Sequence, residues 1–122
     1  MIIVCVDNTP VMLQSLKENA SKAYPYADVQ TFLSAESALD YVENFGCDVL
    51  LCEINPPRLE GLFLAEKVKN INPRVNIIFV TVCSESEHAK VVMKLKPSGY
   101  LTKEASCAQL LEELQNLRYP VA

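Results

Sequence analysis

The feature that most constrains the fold is the alternation of five short apolar runs with five longer amphipathic segments. Runs such as VLLC and IIFV are apolar on both faces of a strand, as expected for parallel strands covered by helices on each side. The pattern predicts an α/β fold, an open parallel sheet wound in right-handed crossovers. The apolar runs are IIVCV (2–6), DVQTFL (28–33), DVLLCE (48–53), VNIIFVTV (75–82) and GYLT (99–102).

The amphipathic segments carry the boundary signals of helices. Proline is tolerated in the first turn of a helix but not in its interior, so a proline marks either the start of a helix or the point before which it ends. Other segments begin with a serine. Two segments open with the S/T-x-x-E/Q spacing of a capping box, at Ser84 and at Ser106. The predicted helices are Pro10 to before Pro25, the segment after Ser34, Leu59 to Ile71, Ser84 to before Pro97, and the segment from Ser106.

Length and charge limit the classes of function. A chain of 122 residues without an internal linker or repeat is expected to form one domain, residues 1–122. That domain is either the N-terminal part of a longer protein or a short protein by itself. The net charge is −4, and the eleven basic residues are scattered along the chain. We therefore expect this segment to bind neither nucleic acid nor an anionic membrane by charge.

The cysteines indicate a reducing compartment. There are five, an odd number, and none are paired in a CxxC spacing. With His88 as the single histidine, a zinc site is not expected either. The opening MIIVCV lacks the basic lead of a signal peptide, and no apolar run approaches the length of a membrane span. The sequence thus predicts reduced thiols and a cytoplasmic protein.

Polar residues gather where the predicted strands end. The first strand leads to Asp7 and Asn8, the third ends in Glu53, the fourth contains Thr81, and the fifth leads to Lys103. Ligands of open parallel sheets bind outside these carboxyl ends. Simpler roles exist for each residue: a cap of the first helix, a structural ion pair between the glutamate and the lysine, or an ordinary strand threonine. Their convergence on one edge favours a site, or the remains of one.

Four segments of the chain, in order and at the right intervals, resemble the markers of bacterial response-regulator receiver domains, the CheY-like family. The resemblance covers essentially the whole chain. It implies a flavodoxin-like (βα)5 three-layer sandwich with strand order 2-1-3-4-5, a role in two-component signal transduction, and no enzymatic activity. The segments are VDNTP (6–10), LLCEINPPRLEG (50–61), FVT (79–81) and GYLTK (99–103).

The resemblance also implies roles for single residues. In the family, acids after the first strand bind Mg²⁺, and an aspartate after the third accepts a phosphoryl group from a histidine kinase. Asp7 matches the first acid, and the backbone carbonyl of Asn55 matches a metal ligand. Thr81 and Lys103 match the residues that contact the phosphoryl oxygens. Tyr100 matches the aromatic residue that, with the threonine, reports the change of state.

Three departures from the family pattern, at Glu53, Val82 and Asn8, predict a pseudo-receiver. Glu53 stands in place of the acceptor aspartate, and its side chain is longer by about 1.5 Å. Because phosphoryl transfer depends on positioning, this displacement is severe. We expect the carboxylate to extend towards Thr81 and Lys103, an imperfect imitation of the phosphorylated state. Val82 replaces a small residue and narrows access to the acceptor.

The metal position is also weakened. Asn8 replaces the family's second acid, and an amide brings no charge to attract a divalent cation. The family's metal position corresponds to Asp7, Asn8, Glu53 and Asn55. We expect Mg²⁺ to bind weakly or not at all there, and no other cofactor.

The expected partners are an output domain, often transcriptional, or a histidine kinase, with a homodimer through the face of the fourth helix, fifth strand and fifth helix. The leading hypothesis is a phosphorylation-independent or constitutively active-like regulatory module. The alternative is a working receiver that is phosphorylated on Glu53 or Asp7. A flavodoxin-like enzyme or nucleotide binder lacks support, because none of the three glycines lies in a phosphate-binding loop.

Overall fold

A computed structural model gives the fold. It describes residues 1–54, 60–81, 89–102 and 107–121, with only the backbone described for 89–91. In these ranges strands and helices alternate strictly, as predicted, and the strand ends agree with the predicted runs to within about one residue. The elements are β1 (Ile2–Val6), α1 (Pro10–Ala23), β2 (Asp28–Phe32), α2 (Ala35–Phe45), β3 (Val49–Ile54), α3 (Glu60–Ile71), β4 (Asn76–Thr81), α4 (Ala89–Lys94), β5 (Gly99–Thr102) and α5 (Cys107–Gln115).

The strands form one five-stranded sheet in the order β2-β1-β3-β4-β5. All four neighbouring pairs are parallel, and the register places Ile54 beside Thr81 and Thr81 beside Thr102. The predicted flavodoxin-like topology is therefore confirmed. Because the strands are parallel, their carboxyl ends all emerge at one edge of the sheet.

Two apolar cores lie on the two faces of the sheet. One core joins β1, β3 and β4 to α2 and α3, and the other joins the same strands to α1 and α5. All six residues of β4 are buried, and Glu53 is the one residue of β3 that is not fully buried. The prediction that the central strands are covered on both faces is correct. None of the helices in the described ranges combines the length and apolar character that a bilayer crossing needs.

The ends of the described helices follow local chemistry. The hydroxyl of Ser34 accepts the backbone N–H of Ser37 at 3.2 Å and caps α2, which confirms the predicted start of this helix. α2 ends at Gly46, whose φ of 83° is a conformation that favours glycine. The capping boxes predicted at Ser84 and Ser106 lie outside the described residues.

At the opposite edge of the sheet, Asn76 fastens the segment that follows α5. This first residue of β4 is fully buried. Its Oδ1 accepts the backbone N–H of Tyr119 at 2.7 Å and the hydroxyl of Ser98 at 2.9 Å, and its Nδ2 donates to the Tyr119 carbonyl at 2.9 Å. One carboxamide thus satisfies three buried or half-buried polar partners and fixes Tyr119 against β4.

Basic side chains add to this attachment. Nζ of Lys69 donates to the Tyr119 hydroxyl at 3.3 Å and lies 4.6 Å from the centroid of its ring. The guanidinium carbon of Arg74 lies 5.6 Å from the same centroid. The Lys69 hydrogen bond is the main cause that lowers the pKa of Tyr119. Such cation–π contacts contribute about 0.5–1 kcal/mol each at exposed positions.

We predict that Asn76→Ala lowers the free energy of unfolding by about 2–4 kcal/mol, because it leaves the polar groups of Tyr119 and Ser98 without their partner. Urea denaturation followed by circular dichroism measures the change. Asn116→Ala is the matched control, since Asn116 is exposed and its side chain donates to the Glu112 carbonyl one turn earlier. The control should change stability by less than about 0.5 kcal/mol. Equal effects of the two substitutions would contradict the role of Asn76.

Candidate functional site

Asp7 lies directly after β1 and is fully buried. Its Oδ1 accepts the backbone N–H of Thr9 at 2.8 Å, a bond of the kind that Asp forms with its own chain two residues on. Thr9 is the N-cap residue of α1, and this helix has no side-chain cap bond. The bond of Asp7 therefore shapes the β1–α1 loop and does not cap the first turn of α1, which was the simpler role considered for it.

Glu53 occupies the carboxyl end of β3, next to that loop. Its side chain is half-buried, and Oε1 accepts the backbone N–H of Asn8 at 2.8 Å. A hydrogen bond to an ionised acceptor is stronger than one between neutral groups. This bond directs one carboxylate oxygen to the β1–α1 loop. We expected the carboxylate to extend towards Thr81 and Lys103, and Lys103 lies outside the described residues.

The hydroxyl of Thr81 is directed to the neighbouring strand. Thr81 is the last residue of β4 and is 1% exposed. Its Oγ1 donates to the backbone carbonyl of Ile54 at 3.0 Å. The structure therefore brings Asp7, Glu53 and Thr81 to one edge of the sheet.

Tyr100 lies on β5 and packs against the core on the α2 and α3 side of the sheet. Its hydroxyl is buried and has no hydrogen-bond partner in the described part of the chain. The side chain is therefore turned towards the protein interior, beside Phe79 on the neighbouring strand.

Several predicted site residues lie outside the described residues. They include Asn55 with its backbone carbonyl, Val82 beside the acceptor position, and Lys103. Their roles stay predictions. His88 and Cys83 lie outside the described ranges as well.

Gly61 holds the start of α3 against the tip of β3. A Cβ atom on Gly61 would overlap the backbone carbonyl oxygen of Glu53 and crowd the sulfur of Cys52. The Cys52 thiol donates to the Gly61 carbonyl at 3.2 Å. Burial raises the pKa of this thiol, and the negative charges of Glu53 and Asp7 raise it further. Cys52 is thus a neutral, buried hydrogen-bond donor, which favours the structural role over the redox role for this cysteine.

The sequence did not point to two further residues near Glu53. A pocket of about 220 Å³ beside it is also lined by Asn8, Ser34 and Glu60. Glu60 is the first residue of α3, and an acidic residue in a first helical turn is the signal that could have drawn attention to it. Ser34 was recognised only as a helix cap.

The described part of the chain supplies few ligands for Mg²⁺. This ion prefers six oxygen ligands at near-octahedral positions. Asp7 and Glu53 supply two carboxylates, and one oxygen of each already accepts a backbone N–H. In the described ranges, no group of three or more acidic, histidine or cysteine side chains is placed to hold a metal ion.

A parallel sheet in the order β2-β1-β3-β4-β5, with an acid after β1, a second acid at the carboxyl end of β3 and a threonine at the end of β4, defines the receiver class of regulatory α/β domain. The chain belongs to the response regulator receiver domain family, which matches residues 3–115. Domains of this family are regulatory components of two-component signalling.

Known relatives agree with this assignment. The transcriptional regulatory protein DegU of Brevibacillus brevis is 25% identical over 113 residues, which are 93% of this chain and 48% of DegU. The nitrate/nitrite response regulator NarL of Escherichia coli K12 is 24% identical over 112 residues, 92% of this chain and 52% of NarL. The chain thus spans about half the length of these curated relatives.

A solved structure is similar throughout. The CheY-like receiver domain protein of Methanospirillum hungatei JF-1 superposes with a TM-score of 0.81 at 25% identity, over 93% of this chain and 90% of that one.

We predict that Gly61→Ala lowers the free energy of unfolding by about 1–3 kcal/mol, because the new methyl group must displace the backbone at Glu53. Gly99→Ala is the matched control: the closest atoms to its new methyl group belong to the flexible end of the Glu113 side chain, which can move. Chemical denaturation of the two variants measures the difference. A control that is destabilised as much as Gly61→Ala would refute the close contact between α3 and β3.

Proposed function

We propose that this chain is a receiver-type regulatory module that acts through protein–protein contacts and does not accept a phosphoryl group at Glu53. The observation that carries the proposal is the carboxylate of Glu53 at the tip of β3, with Oε1 bonded to the backbone N–H of Asn8 at 2.8 Å. The module is not an enzyme in this proposal.

Two physical costs oppose phosphoryl transfer to Glu53. The acceptor oxygens extend about 1.5 Å further from the backbone than those of an aspartate, and transfer depends almost wholly on in-line positioning. Attack by Oε1 would also break its hydrogen bond to the Asn8 N–H, which costs about 1.5–3 kcal/mol when the acceptor is charged. The negative charge available to attract a metal ion is low as well, since Asn8 contributes none.

The same geometry supports a fixed, constitutive state. Glu53 places a permanent negative charge near the position that a phosphoryl group occupies in working receivers. Tyr100, the residue that corresponds to the switch aromatic, is packed inward with its hydroxyl buried. We propose that Glu53 replaces the phosphorylation signal with a constant one.

The alternative function is a phosphorylatable receiver. Asp7 is poorly suited as its acceptor, because its side chain is fully buried and one oxygen accepts the Thr9 N–H. Glu53 is half-buried and lines a pocket, so it is the better candidate of the two.

The proposed partners follow from the family and the surface. We propose that the face formed by α4, β5 and α5 forms a homodimer or docks an output domain. On this face Met93 is 67% exposed, among the exposed residues Lys94, Lys96 and Glu112. The naming of DegU as a transcriptional regulatory protein supports a transcriptional output, with a histidine kinase as the alternative partner.

The domain extent and location are also proposals. We propose that residues 1–122 form one receiver domain and the N-terminal part of a longer response regulator. The described cysteines Cys5, Cys47, Cys52 and Cys107 are free thiols, which supports a reducing, cytoplasmic location.

We predict weak Mg²⁺ binding by the parent and at least about tenfold tighter binding by Asn8→Asp, because the substitution adds a charge at the metal position. Isothermal titration calorimetry measures both affinities. Asn116→Asp adds the same charge at an exposed position after α5, and this control variant should bind Mg²⁺ with the same affinity as the parent. Parent and Asn8→Asp proteins of equal affinity would refute the argument.

We predict that phosphoryl transfer returns only when three positions are restored together. Glu53→Asp shortens the acceptor side chain, Asn8→Asp restores the charge at the metal position, and Val82→Ala opens access to the acceptor. Because phosphoryl transfer needs all three together, the effects of the substitutions should be strongly non-additive. With acetyl phosphate and Mg²⁺, the triple variant should gain about 80 Da by intact mass, one phosphoryl group, while each single variant should not. A folded triple variant that stays inert would show that the site has diverged at further positions. A parent that is readily phosphorylated on Glu53 would refute the proposed function.

A further inference from the structure

A cavity of about 400 Å³ lies between α1 and α5, and no role described above involves it. Val80 of β4 and Leu101 of β5 line it from the sheet. Met12 and Leu16 line it from α1, and Leu110 lines it from α5. Its volume falls in the range of small-molecule sites, about 300–1,000 Å³, and such sites are lined mainly by apolar side chains with few polar groups.

The charge of the lining restricts the ligand. The part of the lining that the structure describes contains no acidic or basic residue. An ion placed there would lose hydration without gaining an opposite charge, which is costly. The ligand that complements this lining is therefore neutral. Val11 also lines the cavity and is 81% exposed, so apolar surface is left uncovered there.

Asn19 of α1 gives the cavity a specific polar group. The residue is 3% exposed, and its Nδ2 donates to the Ser15 carbonyl at 2.9 Å. Its carboxamide oxygen is buried and has no hydrogen-bond partner among the residues the structure describes. A buried acceptor without a partner is unfavourable. The oxygen is shielded from the cavity as it is from solvent, so a ligand N–H or O–H group reaches it only if the carboxamide rotates and Nδ2 leaves the Ser15 carbonyl.

We propose that this cavity, defined by the lining residues above, binds a small, neutral, mainly apolar molecule that carries one N–H or O–H donor. The concave shape and the volume of about 400 Å³ favour a small molecule over a second copy of the chain. The proposal stands independently of the proposed function, because the cavity is present whichever residue accepts or fails to accept a phosphoryl group.

The cavity lies beside the two strands β4 and β5, which lead to the site. Val80 pairs with Leu101 in the sheet, and the next pair along the two strands is Thr81 with Thr102. Val80, which lines the cavity, is thus the residue directly before Thr81. A molecule bound there contacts β4 and β5, the two strands that carry Thr81 and Tyr100.

Indole is a suitable probe, because it is neutral, apolar and has one N–H donor. Titrated into the ¹⁵N-labelled protein, it should bind saturably with a dissociation constant of about 1 mM or tighter. The amide shifts should centre on Leu16, Val80, Leu101 and Leu110. Indene has nearly the same shape without the N–H group and should bind at least about threefold more weakly, because it leaves the Asn19 oxygen without a donor.

Two substitutions from opposite walls test the location. Ser15→Trp and Cys107→Trp fill the cavity from α1 and from α5, and each should weaken indole binding at least about tenfold. Ser21→Trp is the control on α1, because Ser21 is exposed and does not line the cavity; it should bind indole like the parent. Sedimentation velocity at the NMR concentration reports the assembly state.

Absence of saturable binding in the folded parent would overturn the proposal, as would binding that persists in both filled variants. A dimer that protects Val11 and excludes indole would also overturn it, because the cavity would then be an interface between copies. Equal affinities for indole and indene would overturn the role of Asn19 as the specific acceptor.

Discussion

The hydrogen bond between the backbone N–H of Asn8 and the carboxylate of Glu53 is the interaction on which the proposed function depends. It exists because parallel pairing brings the ends of β1 and β3 to the same edge, with Val6 beside Cys52. It also depends on the length of a glutamate side chain. The bond joins the β1–α1 loop to the end of β3, two segments that, in a working receiver, must leave room for a metal ion and an incoming phosphoryl group. A site that satisfies its own carboxylate in this way is suited to a fixed state.

The contacts around this bond stabilise the same arrangement. Gly61 lets α3 begin against the Glu53 carbonyl, and the Cys52 thiol donates across the same junction. Thr81 donates to the carbonyl of Ile54, so the ends of β3 and β4 are also joined by a side chain. At the other edge, Asn76 fixes the chain that leaves α5. The two edges are connected by the fully buried strand β4, which offers a direct physical link between the site and the segment that follows α5.

The sequence predicted much of this architecture, because the pattern of apolar runs responds to burial. The central strands are apolar on both faces, and prolines and serines mark the helix ends, as at Pro10 and Ser34. The convergence of Asp7, Glu53 and Thr81 followed from parallel strands alone. The partner of Glu53 could not be predicted, because the choice between a backbone N–H and a side chain depends on ångström-scale geometry. The same holds for the bonds of Asn76 and for the cavity beside Asn19, which arise from contacts between residues far apart in the chain.

The central claim is that the site does not accept a phosphoryl group at Glu53, and beryllofluoride, a phosphomimetic, tests it most directly. The measurement is the amide spectrum of the ¹⁵N-labelled parent protein before and after beryllofluoride and Mg²⁺ are added. If Glu53 remains bonded to Asn8, the amide resonances of Asn8, Thr81 and Tyr100 should stay at their positions. A second set of resonances in slow exchange at these three residues would contradict the account, because it would show that the site binds the mimic and switches.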